Sequence, residues 1–218
     1  MHLDTMDNIE VKVEREENAN YYNVSIGTVV SVPFEDYVAG VVASEVGNSS
    51  LEACKAQAVA ARTYAMNHKK PIYDSSSTAQ AFRATRINRA IYPNAMDGAY
   101  YTAGQVLTYN NKLINSVYSA SNGGRTVSSK ERWGNDVPYL IAQDDPWTKS
   151  KKNGHGVGMS QNGAANAANQ GVGYQDILAF YYPGTKLVSN YNKKPNTVKI
   201  PVEKAEYFYN ILKEKLEK

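Results

Sequence analysis

Residues 49–71, SSLEACKAQAVAARTYAMNHKKP, carry a strong helix signal. Ser49 and Glu52 stand three residues apart, which is the spacing of a capping box at a helix N-terminus. Small and apolar side chains then recur at helical spacing along one stripe: Leu51, Cys54, Ala58, Ala61 and Ala65. Two lysines favour the negative C-terminal end of a helix, and Pro71 ends it. The segment predicts a long, alanine-rich helix that packs closely against its neighbours.

The segments on either side of this helix mix helical and strand patterns. Residues 9–13 alternate apolar and polar side chains and predict a strand, and residues 21–32 predict a second one. A helix is expected from Pro33 to near Glu45. Further strands are predicted at 100–102, 105–109, 113–119 and 138–142, and further helices at 161–170 and 174–182. The predicted fold class is α+β, with helices packed on short antiparallel strands in a single compact domain.

Length and composition support one folded domain with short additions at both ends. The 218 residues suffice for a stable core without a disulfide or metal. Hydrophobic residues at 42% and charged residues at 21% exclude a mostly disordered chain. Residues 1–8 are predicted to be disordered or tag-like, and 9–188 to form the domain. Residues 189–218 are predicted to form an extension whose amphipathic helix packs on the domain.

The net charge narrows the possible binding partners, and the cysteine content narrows the possible covalent and metal sites. The net charge of +3 favours an anionic polymer such as a cell wall, but falls short of the basic stripe of a nucleic-acid-binding protein. The single cysteine excludes a disulfide framework and a zinc site built from several thiols. Seventeen tyrosines suit either a sugar or peptide groove or a half-buried sheet.

The chain shows no apolar run near the ~20 residues of a membrane span, so no stable membrane insertion is expected. Its first twenty residues are too polar for a secretion signal. The protein is therefore expected to be cytoplasmic, released by another route, or trimmed from a longer precursor.

Three polar side chains on the two predicted helices are candidates for chemistry. Glu45 ends a helix of apolar and small residues, where desolvation would raise its pKa as a general acid requires. An ordinary exposed glutamate is the alternative. Gln57 and Arg62 must find partners or point into a cleft. Arg62 could hold a sugar hydroxyl or pair with a carboxylate in a salt bridge.

Residues 154–161, GHGVGMSQ, combine three glycines with a helix start. The glycines let the backbone approach a ligand, and the first turn of a helix presents free N–H groups. His155 could ligate a metal, transfer protons or donate a hydrogen bond. No metal is expected, because the other histidines form no ligand spacing with it. Ser160 lacks the flanks of a nucleophile elbow and is predicted to cap the helix.

Taken together, several blocks resemble the stage II sporulation protein D family (the SpoIID/LytB domain). The blocks follow the family's order and lie at 32–45, 52–64, 118–126, 137–140, 154–164 and 181–185. The resemblance covers residues 9–188. It implies a lytic transglycosylase without a cofactor, which cuts the β-1,4 bond between N-acetylmuramic acid and N-acetylglucosamine and leaves a 1,6-anhydro end. Its substrate would be peptidoglycan glycan strands, its site of action the cell wall outside the cytoplasm, and a peptidoglycan amidase a candidate partner.

The resemblance assigns roles to individual residues. It implies that Glu45 is the catalytic acid/base and that Arg62 serves activity or substrate positioning. Tyr118, Ser121 and Gln161 are candidates for binding substrate and stabilising positive charge, with His155 and Gln57 as further substrate-binding candidates. The family's zinc ligands have no counterpart at 73–83, which holds neither Cys nor His.

The segment at 141–153 is shorter than in the family. It predicts either a more open site or a protein that binds glycan without cutting it, such as an amidase-enhancing module. A muramidase-type hydrolase is a third reading, in which Asp144 or Asp145 would partner Glu45. The biological setting stays open among sporulation, wall remodelling, conjugation and phage lysis.

Overall fold

Seven α-helices and eight short strands are distributed along residues 7–191, the part of the chain that this computed structural model describes. The predicted α+β class is confirmed. The helices are α1 (Glu16–Tyr22), α2 (Phe34–Glu45), α3 (Leu51–Asn67), α4 (Pro93–Tyr101), α5 (Ser129–Trp133), α6 (Gln161–Asn169) and α7 (Tyr174–Tyr181). The strands are β1 (Asn8–Lys12), β2 (Val29–Pro33), β3 (Ile72–Tyr73), β4 (Val106–Tyr109), β5 (Lys112–Leu113), β6 (Tyr118–Ser119), β7 (Met159–Ser160) and β8 (Lys186–Val188).

The strands form three small sheets of mixed direction. β1 lies between antiparallel β2 and parallel β3, with Ile9 opposite Val32. β4 lies between β5 and β8 and is antiparallel to both. β6 and β7 pair in parallel and bring Ser119 opposite Ser160. The expected antiparallel pairing therefore holds for β1 with β2 and throughout the second sheet, whereas the parallel pairs β1–β3 and β6–β7 join segments that are distant in sequence.

Helix α3 is buried on two faces. The predicted stripe is confirmed for Cys54, Ala58, Ala61 and Ala65, which pack in one cluster with residues of α2 and α4. Leu51 is only partly buried and is a member of neither core cluster. A second face, with Ala56, Val59 and Ala60, packs in another cluster with residues of α6 and α7. Small side chains allow this close approach. A Cβ at Gly98 of α4 would come within 2.8 Å of the Cys54 backbone.

The start of α3 differs from the predicted capping box. Ser50 occupies the N-cap position and its side chain makes no capping hydrogen bond. The Glu52 carboxylate instead accepts a hydrogen bond from the Tyr174 N–H at 2.9 Å and pairs with Lys55 at 2.6 Å. A contact with a distant helix thus replaces the local cap.

Four predicted strands are wrong in whole or in part. Of residues 113–119, only Leu113 and 118–119 are strand. Residues 21–22 end α1, and only 29–33 of that stretch pair as β2. Residues 100–101 end α4, which begins at Pro93 in the first helical position, where proline is favoured. Residues 138–142 form no strand, and the Leu140 carbonyl instead accepts a hydrogen bond from the Ser129 N–H. Strand propensity alone is a weak guide for tyrosine-rich stretches, because tyrosine also fits the half-buried face of a helix.

The predicted additions at the two ends are mostly beyond the described residues. The amphipathic helix expected within 189–218 and residues 1–6 lie outside the described range, and β1 begins at Asn8. Within 7–191, the helices are too short or too polar to cross a membrane.

A partly buried ion pair ties three helices together. Arg62 of α3 is fully buried, and its guanidinium contacts both oxygens of Glu35 in the first turn of α2, with Nη2 to Oε2 at 2.6 Å. It also donates to the carbonyl oxygens of Ala99 at 2.9 Å and Gln105 at 3.2 Å. Removing one member of such a pair is costly, because the other charge loses its partner.

We expect Arg62→Ala to lower the free energy of unfolding by about 3 kcal/mol or more, measured by urea denaturation. The matched control is Arg125→Ala, since Arg125 is exposed and pairs with exposed Asp144 at 3.2 Å. That change should cost less than about 1 kcal/mol. Equal losses in the two variants would contradict a structural role for the Arg62–Glu35 pair.

Candidate functional site

A cavity of about 480 Å³ opens where the end of α2, the start of α6 and three loops meet. Its size is typical of a small-molecule or sugar site. The lining residues are Glu45, Tyr64, Ser76, Ser77, Thr78, Ala79, Gln80, Val117, Tyr118, Ser119, Ala120, Trp133, Asn153, Gly154, His155 and Gln161. Four of the predicted site residues, Glu45, Tyr118, His155 and Gln161, are therefore brought together.

Glu45 is held between two hydrogen-bond donors from distant parts of the chain. Its Oε1 accepts from the Ala81 backbone N–H at 2.8 Å, and its Oε2 accepts from the Gln161 side-chain amide at 3.1 Å. Gln161 is the first residue of α6, and its position is defined because Ser160 caps that helix by accepting from the Gly163 N–H at 3.1 Å. The capping role predicted for Ser160 is confirmed.

Burial raises the pKa of Glu45 above its ordinary value of 4.5. The hydrogen bonds from Ala81 and Gln161 and the positive charge of Arg83 act in the opposite direction, but burial outweighs them. A carboxyl group with a raised pKa keeps its proton closer to neutral pH. Such a group can act as a general acid and, after losing that proton, as a general base.

Gln80 orients the Tyr118 hydroxyl beside Glu45. The Tyr37 hydroxyl donates to Gln80 Oε1 at 3.1 Å, which leaves the amide nitrogen of Gln80 to face Tyr118 as a donor. Gln80 Nε2 then donates to the Tyr118 oxygen at 2.8 Å. Because that oxygen is the acceptor, the Tyr118 proton is directed away from Gln80 and is available for a ligand in the cavity.

Tyr118 remains protonated at neutral pH. Burial raises the pKa of Tyr118 well above its ordinary value of 10.0, and the nearby charge of Glu45 raises it further. The cavity thus places a neutral hydroxyl donor beside a titratable carboxyl group.

His155 is placed in the cavity wall by the glycine-rich turn. Its Nδ1 accepts from the Val157 N–H at 3.0 Å, and its ring lies 5.4 Å from the Trp133 ring. Burial lowers the pKa of His155, against the opposing effect of the Tyr118 carbonyl. A neutral imidazole is therefore expected at pH 7. A Cβ at Gly158 would approach the Val117 oxygen to 2.1 Å, and φ there is +69°, so the turn requires glycine.

Three predicted site residues lie outside the cavity lining. Arg62 uses its guanidinium in the ion pair described above, which favours the salt-bridge alternative. Ser121 is fully buried, and its hydroxyl donates to the Ser150 carbonyl at 3.2 Å. Gln57 is 1% exposed, and neither end of its amide has a hydrogen-bond partner within residues 7–191. Their predicted roles in substrate binding have no contact in this cavity to support them.

Among the described residues that line the cavity, Glu45 is the sole carboxylate. Asp145 is buried elsewhere, where its carboxylate accepts from Tyr181 and Thr148, each at 2.7 Å. Burial acts to raise the pKa of Asp145, but its hydrogen bonds outweigh burial and lower it. Asp144 is exposed and pairs with Arg125. Neither aspartate is a cavity residue.

Gln80 and Trp133 were not among the predicted site residues. Trp133 ends α5, a short helix with a complete capping box between Ser128 and Glu131. That three-residue spacing, followed by Gly134, could have revealed the helix. Gln80 lies in a polar loop without periodicity, so its role depends on contacts that only folding creates.

Metal binding finds no support in the described part of the chain. Within residues 7–191, no group of three His, Cys, Asp or Glu side chains is arranged to hold a metal ion.

The chain is similar to one family model and to several bacterial proteins. The family model described as Stage II sporulation protein, SpoIID, matches residues 22–109. The protein named Amidase enhancer from Bacillus subtilis (strain 168) is 42% identical over 107 residues, which cover 49% of this chain and 15% of the relative. Stage II sporulation protein D from the same strain is 24% identical, with 76% of this chain and 77% of the relative covered. The Bacillus amyloliquefaciens protein of that name is 31% identical, over 59% of this chain and 43% of the relative.

The raised pKa of Glu45 predicts a pH dependence of stability. A proton binds more tightly to Glu45 in the folded state than in the unfolded state, so this contribution is complete below pH 4.5 and is lost as pH rises through the folded-state pKa. We expect the free energy of unfolding of the wild type to fall relative to Glu45→Gln over that range, measured by urea denaturation at several pH values. Parallel pH profiles for the two proteins would contradict the raised pKa.

Proposed function

From its similarity to stage II sporulation protein D, we propose that the chain is a member of that family and a peptidoglycan lytic transglycosylase. It would cleave the β-1,4 bond between N-acetylmuramic acid and N-acetylglucosamine in glycan strands at the cell wall. The observation that carries this proposal is Glu45, a carboxyl group of raised pKa that is the sole acid among the described cavity-lining residues.

The reaction needs one group that first gives and then takes a proton. Protonated Glu45 donates its proton to the glycosidic oxygen as the bond from C1 to that oxygen breaks. The resulting carboxylate accepts the proton of the sugar's own C6 hydroxyl, whose oxygen forms a new bond to C1. The attack is intramolecular, so proximity lowers the barrier and no water is consumed. The products are a 1,6-anhydro end and a free hydroxyl.

A hydrolase would need a different arrangement of acids. Ordinary glycosidases use two carboxyl groups about 5–9.5 Å apart, one of them as nucleophile or as base for water. Asp145, the better buried of the two earlier candidates, is occupied by hydrogen bonds from Tyr181, Thr148 and Asn122. The single carboxylate therefore supports the transglycosylase over the muramidase-type alternative.

Tyr118 and Gln161 would support the reaction at Glu45 in different ways. The Tyr118 hydroxyl would donate to an oxygen of the bound sugar, in the direction that Gln80 imposes. Gln161 would stabilise the carboxylate state of Glu45 through its amide N–H. His155, neutral at pH 7, would contribute shape and a polar edge to the sugar site.

A second candidate is a non-catalytic module that binds the cell wall and enhances an amidase. It is favoured by the 42% identity to the protein named Amidase enhancer. An amidase partner is compatible with either candidate. The two differ in whether the chain itself breaks glycosidic bonds, which one assay decides.

We expect purified glycan strands incubated with the protein to give 1,6-anhydro-ended fragments, identified by mass spectrometry. Glu45→Gln should lower the rate at least about 100-fold, because it removes the general acid and base. The matched control is Glu10→Gln, a change at an exposed position of β1, which should retain full activity.

The alternatives predict other outcomes in this assay. Reducing ends instead of anhydro ends would indicate a hydrolase. Binding to strands without fragments, together with faster cleavage by an added amidase, would indicate the non-catalytic module. Undiminished activity of Glu45→Gln would overturn the assignment of Glu45.

Tyr118→Phe should lower kcat about tenfold with a smaller change in KM, because the lost hydrogen bond acts mainly on the transition state. Initial rates on glycan strands measure this split. Tyr101→Phe is the matched control, since Tyr101 is 65% exposed at the end of α4. A fall in thermal stability without any change in kcat would show that Tyr118 serves folding alone.

A further inference from the structure

A second cavity of about 390 Å³ adjoins the cavity that holds Glu45. It is lined by Tyr64, Asn67, His68, Asn115, Val117, Trp133 and Asn135. Three of these residues, Tyr64, Val117 and Trp133, also line the first cavity. A polymer seated at Glu45 would therefore continue into the second cavity.

The lining of this second cavity is rich in amides and lacks permanent charge. Three of the seven residues are asparagines, and none is Asp, Glu, Lys or Arg. Asn115 and Asn135 are exposed, and within residues 7–191 neither side-chain amide is hydrogen-bonded to protein. Amide groups both donate and accept hydrogen bonds, as hydroxyl and acetamido groups of a sugar require.

Aromatic rings stand at the junction of the two cavities. Trp133 is 47% exposed, although an indole of this size is usually well covered. Tyr64 lies 5.3 Å from His68, ring centre to ring centre. Amphipathic rings of this kind present an apolar face to a ligand and keep a polar edge in water.

We propose that the second cavity is a binding subsite for a further neutral, N-acetylated sugar residue of the same glycan strand. The inference rests on the proposed function, which places the strand at Glu45. The subsite would add affinity for longer strands and hold the scissile bond in register with the carboxyl group.

A peptide stem is the competing occupant, and the chemistry of the lining disfavours it. Stem peptides carry carboxylates, which proteins bind through Arg or Lys side chains. The seven lining residues include neither. A neutral sugar matches the three asparagines, whereas an anionic peptide would leave its charges without partners.

The test uses Glu45→Gln, so that ligands are bound without being cut. Calorimetry with β-1,4-linked N-acetylglucosamine oligomers of two and six sugars measures the gain in affinity with length. Adding Asn115→Ala and Asn135→Ala should weaken binding of the six-sugar oligomer about tenfold, because two hydrogen bonds are lost. Asn169→Ala is the matched control, since Asn169 is exposed at the end of α6 and lines neither cavity.

The outcomes separate this inference from the proposed function. Unchanged binding of the six-sugar oligomer to the double asparagine variant would overturn the inference, even where wild-type protein still cuts strands. If wild-type protein does not cleave strands but still binds longer oligomers more tightly, the proposed enzymatic activity would be wrong, whereas the proposed subsite would be retained. A muramyl peptide whose binding depends on Asn115 and Asn135 more than that of the oligomer would assign the cavity to stem peptides.

Discussion

Close packing on both faces of α3 is the constraint on which the site depends. Alanines along this helix let α2 and α4 approach on one side, and α6 and α7 on the other. The last residue of α2, Glu45, thereby meets the first residue of α6, Gln161, 116 positions later in the chain. Larger side chains on α3 would push these layers apart, since a packed interior does not absorb added volume without strain.

The environment of Glu45 balances two opposing demands. Burial disfavours its charged state and raises its pKa, whereas the Ala81 N–H and the Gln161 amide stabilise that same charge. A group that gives and then takes a proton needs both states to be accessible, so the hydrogen bonds must offset part of the effect of burial. Buried Asp145 differs from Glu45, because hydrogen bonds from Tyr181 and Thr148 stabilise its charged state and lower its pKa.

Polar residues within the family-like blocks fall into two groups that look alike in sequence. Tyr118 and His155 line the cavity, whereas Ser121 and Arg62 are buried in contacts within the protein. A short segment at 141–153 separates the blocks at 137–140 and 154–164, and it is held in place by the Asp145 hydrogen bonds instead of by added secondary structure. The similarity to the family therefore concerns the scaffold, while the role of each polar residue depends on what it contacts.

The sequence by itself determined the helices with clear periodicity and caps: α2, α3, α6 with Ser160 at its N-cap, and α7. It also singled out Glu45 and the glycine-rich turn around His155, because an acid amid apolar residues and a cluster of glycines are local signals. Only the tertiary structure decided that Tyr100 is helical, that Glu52 bonds to Tyr174 and that Arg62 pairs with Glu35. It alone placed Gln80 and Trp133 in the cavity wall. Those outcomes depend on contacts between residues far apart in the chain, whose energies exceed the small local preferences that a sequence pattern records.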